Sequence, residues 1–165
     1  MNSNKINTKT IARIAAVQTI YQYKLESSDQ NIDFIVQQMI SFYQDERAKD
    51  SHTNSHKAIK IKLSISHLQL LVKSVVENLT KIDQTIAKHL TSEWTMNNMP
   101  ILLLALLRVA ICELQFFPDI PNKVIINEFT DITSDMLSDH EVGFVNSILD
   151  TISKEYTGAQ CHPVH

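Results

Sequence analysis

Apolar residues recur at steps of three and four along most of this 165-residue chain, the spacing of helices that turn one face to a core. Ile11, Ile14, Val17, Tyr21 and Leu25 predict a first helix from about Thr8 to Glu26, which Asn7 or Thr8 can cap through a side-chain oxygen. Ile32, Ile35, Val36, Met39, Ile40 and Tyr43 predict a second, after which Gln44 to Lys57 contains no large apolar residue and reads as an exposed connection. A third helix is expected from about Ile59 to Leu79, with Leu63, His67, Leu70, Leu71 and Val75 on one side. Thr80 and Asp83 have the spacing of a capping box and open a short helix through Leu90. Pro100 suits the first turn of a helix that is apolar nearly all round from Ile101 to Leu107, the candidate for a buried central element. Pro118 and Pro121 then interrupt the chain. Ile125, Phe129, Ile132 and Met136 predict a sixth helix from about Asn122 to Met136. Val142, Val145, Leu149, Ile152 and Tyr156 predict a seventh from about Asp139 to Tyr156, and Thr157 to His165 read as a frayed tail.

Composition supports an all-α fold. Two glycines and four prolines leave few sites for the tight turns that a many-stranded sheet needs. The length suits one domain across residues 1–165, with a core but no room for a separate catalytic domain. The longest apolar stretch, Met99 to Ile111, is broken by Arg108 and is shorter than the roughly 20 residues of a bilayer span, so no membrane association is expected. Cys112 and Cys161 form neither a CxxC pair nor a disulfide framework, as in a protein of the reducing cytoplasm. The net charge of −3 conceals an asymmetry: the first 24 residues carry Lys5, Lys9, Arg13 and Lys24 and no acid, whereas eight acids against two bases follow Leu114. A polyanion is therefore expected at the amino-terminal helix.

Motifs for enzymatic chemistry are missing: there is no GxxxxGK[ST] loop, no GxSxG elbow and no HExxH pair, so neither a catalytic site nor a cofactor is expected. His52 with His56, and Cys161 with His162 and His165, lie in polar segments and read as solvated residues rather than metal ligands. Lys5, Lys9 and Arg13 are spaced at four and line up on one side of a helix start. There they oppose the macrodipole at about 0.3–1 kcal/mol each. Phosphate binding explains such an arrangement, and an ordinary solvated basic start is the alternative. Phe144 points about 120° away from the mean direction of the seventh helix's apolar stripe. It either stacks on an unpaired base or packs with Ile148 against a neighbour. Arg108, inside the apolar central helix, calls for a carboxylate if buried, with Glu128 or Glu113 the candidates, and RNA contact is the alternative. Trp94 is most simply a core anchor.

Several blocks resemble the NusB family of bacterial transcription antitermination factors: Ala16-Val17-Gln18-Thr19-Ile20-Tyr21, Leu107-Arg108-Val109-Ala110-Ile111-Cys112-Glu113-Leu114, Pro121-Asn122-Lys123-Val124-Ile125-Ile126-Asn127-Glu128 and Phe144-Val145-Asn146-Ser147-Ile148-Leu149-Asp150. The resemblance implies seven helices in two packed helical bundles. It implies binding of the single-stranded boxA element of ribosomal RNA transcripts together with NusE, a small-subunit ribosomal protein, so that RNA polymerase reads through terminators. Lys9, Arg13 and Phe144 match positions that touch RNA in the family, and Tyr21 matches one that faces NusE; Lys5 joins the RNA set by its spacing. The chain departs from the family in three places. Thr10, Ile11 and Ala12 replace part of a denser arginine run, Gly143 stands where Lys or Arg is common, and Leu103 replaces a frequent acid. Three bases give a salt slope of about −2, that of a weak binder that needs its partner. Two alternatives remain: a protein-binding helical adaptor without RNA contact, and a relative of the RNA-positioning domain of ribosomal RNA cytosine methyltransferases, although no Rossmann half follows Asp150.

Overall fold

The computed structural model describes residues 7–25, 31–50, 62–91 and 93–160, and among them are seven helices and no strand. These are α1 (Thr8–Leu25), α2 (Ile32–Asp50), α3 (Ile65–Glu77), α4 (Leu79–His89), α5 (Ile101–Phe116), α6 (Asn122–Met136) and α7 (Asp139–Gln160). The all-α expectation holds. The chain forms two compact units, Met1–Val72 and Lys73–His165, with the boundary inside α3. No helix among the described residues is long and apolar enough to cross a membrane.

In the first unit α1 packs on α2. Both helices open on an asparagine: the Asn7 Oδ1 accepts the Lys9 backbone N–H at 3.0 Å, and the Asn31 Oδ1 accepts that of Asp33 at 3.0 Å. The Tyr43 hydroxyl donates to Gln18 Oε1 at 2.9 Å and joins the two helices, while burial pushes the phenol's pKa up. Between Ile11 and Ile20 only Ile14 and Gln18 are less than buried, so α1 is enclosed well beyond its predicted stripe. Ala12, Ala15 and Ala16, all at 0 % exposure, let neighbouring chain approach closely on the sides that the hydropathy pattern left open.

Three expectations for α2 and α3 are corrected. Gln44 to Asp50 belongs to α2 rather than to a connection, because Gln, Glu, Arg, Ala and Lys favour helix without any apolar face; residues 51–57 lie outside those described. In α3, Leu70 is 54 % exposed, whereas Leu68 and Leu71 are at 0 % and Val72 at 2 %. At about 100° per residue, His67, Leu71, Val75, Leu68 and Val72 cover one arc, and Leu70 falls some 60° or more outside it. The helix also starts at Ile65 rather than near Ile59: residues 62–64 are not helical, and the Ser64 N–H donates to the Thr8 carbonyl at 3.1 Å.

In the second unit α5 packs on α4, α6 and α7, and eleven of its sixteen residues are buried, which makes it the central element. Pro100 lies just before it in extended backbone (φ −52°, ψ 134°), and Pro121 (φ −59°, ψ 136°) precedes α6 in the same way. Arg108 does meet a carboxylate, but it is that of Asp83. Its Nε and Nη2 donate to Oδ1 and Oδ2 at 2.8 and 3.0 Å, a two-pronged pair that ties α5 to α4. Asp83 is thereby removed from the expected capping role: α4 starts at Leu79, Asn78 is its cap residue, and no side chain caps it. At the other end of α4, His89 bonds Glu155 of α7 at 2.8 Å.

Candidate nucleic-acid interface

The residues expected to meet RNA fall on the opening turns of α1 and α7. On α1, Lys9 is the second helical residue and is exposed. Its backbone is fixed by the Asn7 cap while its ammonium is free to reach solvent. Arg13 lies one turn on, only about 40° round the helix, yet it is 2 % exposed and is engaged within the chain. Lys9 projects from the helix start; Arg13 has reached the enclosed stretch. The pair of exposed cations expected from spacing thus narrows, among the described residues, to Lys9. Lys5 lies outside the described residues. Tyr21 is half-buried in the same unit.

In the other unit, Ser138 and Glu141 form half of a capping box at the start of α7: the Ser138 N–H donates to Glu141 Oε2 at 3.1 Å, and the Ser138 hydroxyl donates to the same oxygen. The hydroxyl, more than any other group, holds the Glu141 carboxyl below its usual pKa. One turn into this anchored helix, Phe144 is half-buried, while Val145 and Leu149 are at 0 %, Ile148 at 4 % and Ile152 at 1 %. Its ring therefore keeps part of its surface accessible, which leaves base stacking open to it. The neighbour it meets is not one that periodicity suggested: the Trp94 ring stands 6.4 Å away, centroid to centroid, tilted by 55°. Trp94 is itself half-buried, so it is less a core anchor than one member of a ring pair. Gly143 is exposed, with nothing within 4 Å of the place a Cβ would occupy.

Other candidate chemistry is inert or lies elsewhere. Cys112 is buried and its thiol is pushed up to about 12, by burial first and by the charge of Glu113 second, so it is no nucleophile. Among the described residues no three His, Cys, Asp or Glu side chains gather as a metal site; His52, His56, Cys161, His162 and His165 fall outside them. A surface that hydropathy did not single out is the outer face of α2, where Phe34 and Phe42 are each 55 % exposed. Phe42 also lines a shallow groove with Gln18, Gln22, Gln38 and Met39.

The NusB family model matches residues 10–154. The chain belongs to the NusB family. The transcription antitermination protein NusB of Rickettsia bellii (strain OSU 85-389) is 60% identical over 155 residues, covering 94% of this chain and 96% of that protein. The NusB of Rickettsia massiliae (strain Mtu5) is 57% identical over 157 residues, covering 95% and 98%. Among solved structures, T. maritima NusB superposes with a TM-score of 0.68 at 24% identity and 94% coverage of both chains. A chain from a complex of the antitermination factors NusB and NusE with dsRNA superposes at 0.70 with 19% identity, covering 92% of this chain and 99% of that one. At such identities the superpositions speak for the NusB fold, and the Rickettsia relatives for close kinship.

Proposed function

We propose that this NusB-family chain is a cytoplasmic transcription antitermination factor that binds the boxA element of ribosomal RNA transcripts together with NusE and supports readthrough by RNA polymerase. The observation that carries the RNA reading is Phe144: it alone of the Phe144–Asp150 block is an aromatic ring left partly open, on a helix whose neighbouring apolar side chains are buried. A base stacked on such a ring gains about 1–3 kcal/mol. Lys9 supplies a phosphate contact from the start of α1, with Lys5 proposed beside it, and Tyr21 is proposed to face NusE. Arg13 enters as a support of α1 rather than as a phosphate ligand. The protein acts by binding and bridging, without a chemical step.

Two cations in place of three lower the salt slope from about −2 to about −1.4. Useful affinity then arises when NusE adds its own RNA-binding surface and the two weak sites act together. Anisotropy titrations of labelled boxA RNA, with and without NusE, test this. Weak, salt-sensitive binding alone, tightened by NusE and weakened by Phe144→Ala or Lys9→Ala, is the expected result. Tight binding by the isolated protein that ignores salt, or two substitutions without effect, would overturn it. The protein-adaptor reading draws support from the exposed Phe34 and Phe42; NusE binding with no detectable RNA contact would favour it.

A further inference from the structure

We infer that Trp94 is a positioning residue for the base-stacking ring, holding Phe144 at an angle that leaves one of its faces open to an unpaired base. The inference rests on the RNA-binding reading of Phe144. The two rings, 6.4 Å apart and tilted by 55°, are too far from parallel to cover each other. Trp94 therefore leans on the Phe144 ring without lying flat over it, in keeping with the half-buried state of both residues.

The loop that carries Trp94 is built to hold that position. Directly after it, the Thr95 N–H donates to Asn98 Oδ1 at 2.6 Å, the Asn98 N–H to Thr95 Oγ1 at 3.2 Å and the Met99 N–H to the Thr95 carbonyl at 3.1 Å, a closed turn anchored by Met99 at 5 % exposure. Directly before it, Glu93 Oε1 meets His140 Nε2 at 2.6 Å, and His140 stands one turn ahead of Phe144 on α7. That pair is exposed and adds little energy, but it sets the loop in register with the helix. The loop thus touches α7 at adjacent turns through adjacent residues.

Stability alone is a poor reason for tryptophan here. Its indole N–H is buried without a hydrogen-bond partner, a penalty that phenylalanine would avoid. What the larger ring supplies is reach and breadth against Phe144. Without it the Phe144 ring samples more than one rotamer, and freezing it on RNA binding weakens affinity by about three- to ten-fold.

Trp94 is the chain's one tryptophan, so its emission reports on this site alone. The experiment measures Trp94 emission during titration of the isolated protein with single-stranded boxA RNA at low salt. Anisotropy with Trp94→Ala, Trp94→Phe and Phe144→Ala is measured in parallel, and each variant's melting curve is recorded. Expected are a change in emission that saturates with binding, three- to ten-fold weaker binding by Trp94→Ala, and recovery of only part of that loss in Trp94→Phe, whose smaller ring has less reach. Constant emission across a saturating titration overturns the inference, as does Trp94→Ala binding within two-fold of wild type or Trp94→Phe binding no better than Trp94→Ala. If Phe144→Ala binds like wild type, the RNA-binding reading itself fails. If Phe144→Ala is weak and Trp94→Ala is not, only the positioning role falls.

Discussion

Replacing Gly143 by lysine is expected to raise both stability and RNA affinity, a combination that few substitutions offer. The position is exposed, its backbone is not in the left-handed region, and a Cβ there meets nothing within 4 Å. Lysine exceeds glycine in helix preference by about 0.6–0.8 kcal/mol. Asp139, four residues earlier on α7, adds about 0.3–0.5 kcal/mol as an acid on the amino-terminal side of a base. The sum, less a few tenths of a kcal/mol for a cation near the start of α7, is about 0.5–1 kcal/mol and corresponds to a rise of about 1–4 °C in Tm for a chain of this size. On the RNA side, an ammonium next to Phe144 that engages one phosphate steepens the salt slope by about 0.7. Scaled from 1 M salt, that contact tightens binding about eight-fold at 50 mM and about four-fold at 150 mM. Gly143→Ala separates the two effects, since it gains helix preference without charge, and Gly143→Glu should reverse the electrostatic one. Thermal unfolding by circular dichroism and boxA anisotropy titrations at several salt concentrations give both numbers. A folded Gly143→Lys protein with the wild-type salt slope would show that RNA does not pass over Phe144, and the reasoning would fail.

Three further outcomes are expected. Lys9→Ala should flatten the salt slope by about 0.7 while stabilising the protein by up to about 1 kcal/mol through relief of the helix dipole, whereas Arg13→Ala should lose about 1–3 kcal/mol of stability through the contacts of a buried side chain; salt-dependent titrations with urea melts distinguish them, and equal stability of the two variants would contradict the burial of Arg13. Asp83→Asn should cost about 2–4 kcal/mol, less than a fully buried pair because the Asp83 side chain is 30% exposed, and Asp83→Leu with Arg108→Met should recover most of it; a double-mutant cycle that finds under 0.5 kcal/mol of coupling would refute the pairing's role. Cys112 ionises near an ordinary 9.0 when unfolded but only at about 12 when folded. Between those values the unfolded state binds fewer protons, so stability falls as pH rises, by up to about 1.4 kcal/mol per pH unit. Urea midpoints at pH 8 and 10 should therefore drop further for wild type than for Cys112→Ala, and equal drops would exclude the thiol as the cause.

What could be read from the sequence, and what could not, divides along a physical line. The α6 bounds were legible because Pro118 and Pro121 fence its start and one apolar stripe runs through it. The end of α2 was not, since hydropathy reports burial, and the polar residues after Tyr43 continue the helix without an apolar stripe to announce it. Arg13 illustrates the opposite error, in which charge is taken as a sign of exposure. The signal against it lay in Ala12, Ala15 and Ala16, small residues that make room for close packing and leave no stripe. Asp83 could be paired with Arg108 only in three dimensions, because spacing along a chain constrains neighbours on one helix and is silent about the next. The same limit hid Trp94 from Phe144. Residues that keep the helical period, such as Val145 and Leu149, are accounted for by packing alone. The candidates for function are those that break it: a phenylalanine off the stripe, a glycine inside a helix and a tryptophan in a polar loop. Periodicity can mark such residues as unexplained by the core, but it takes the fold to show that the tryptophan meets the phenylalanine at the start of α7.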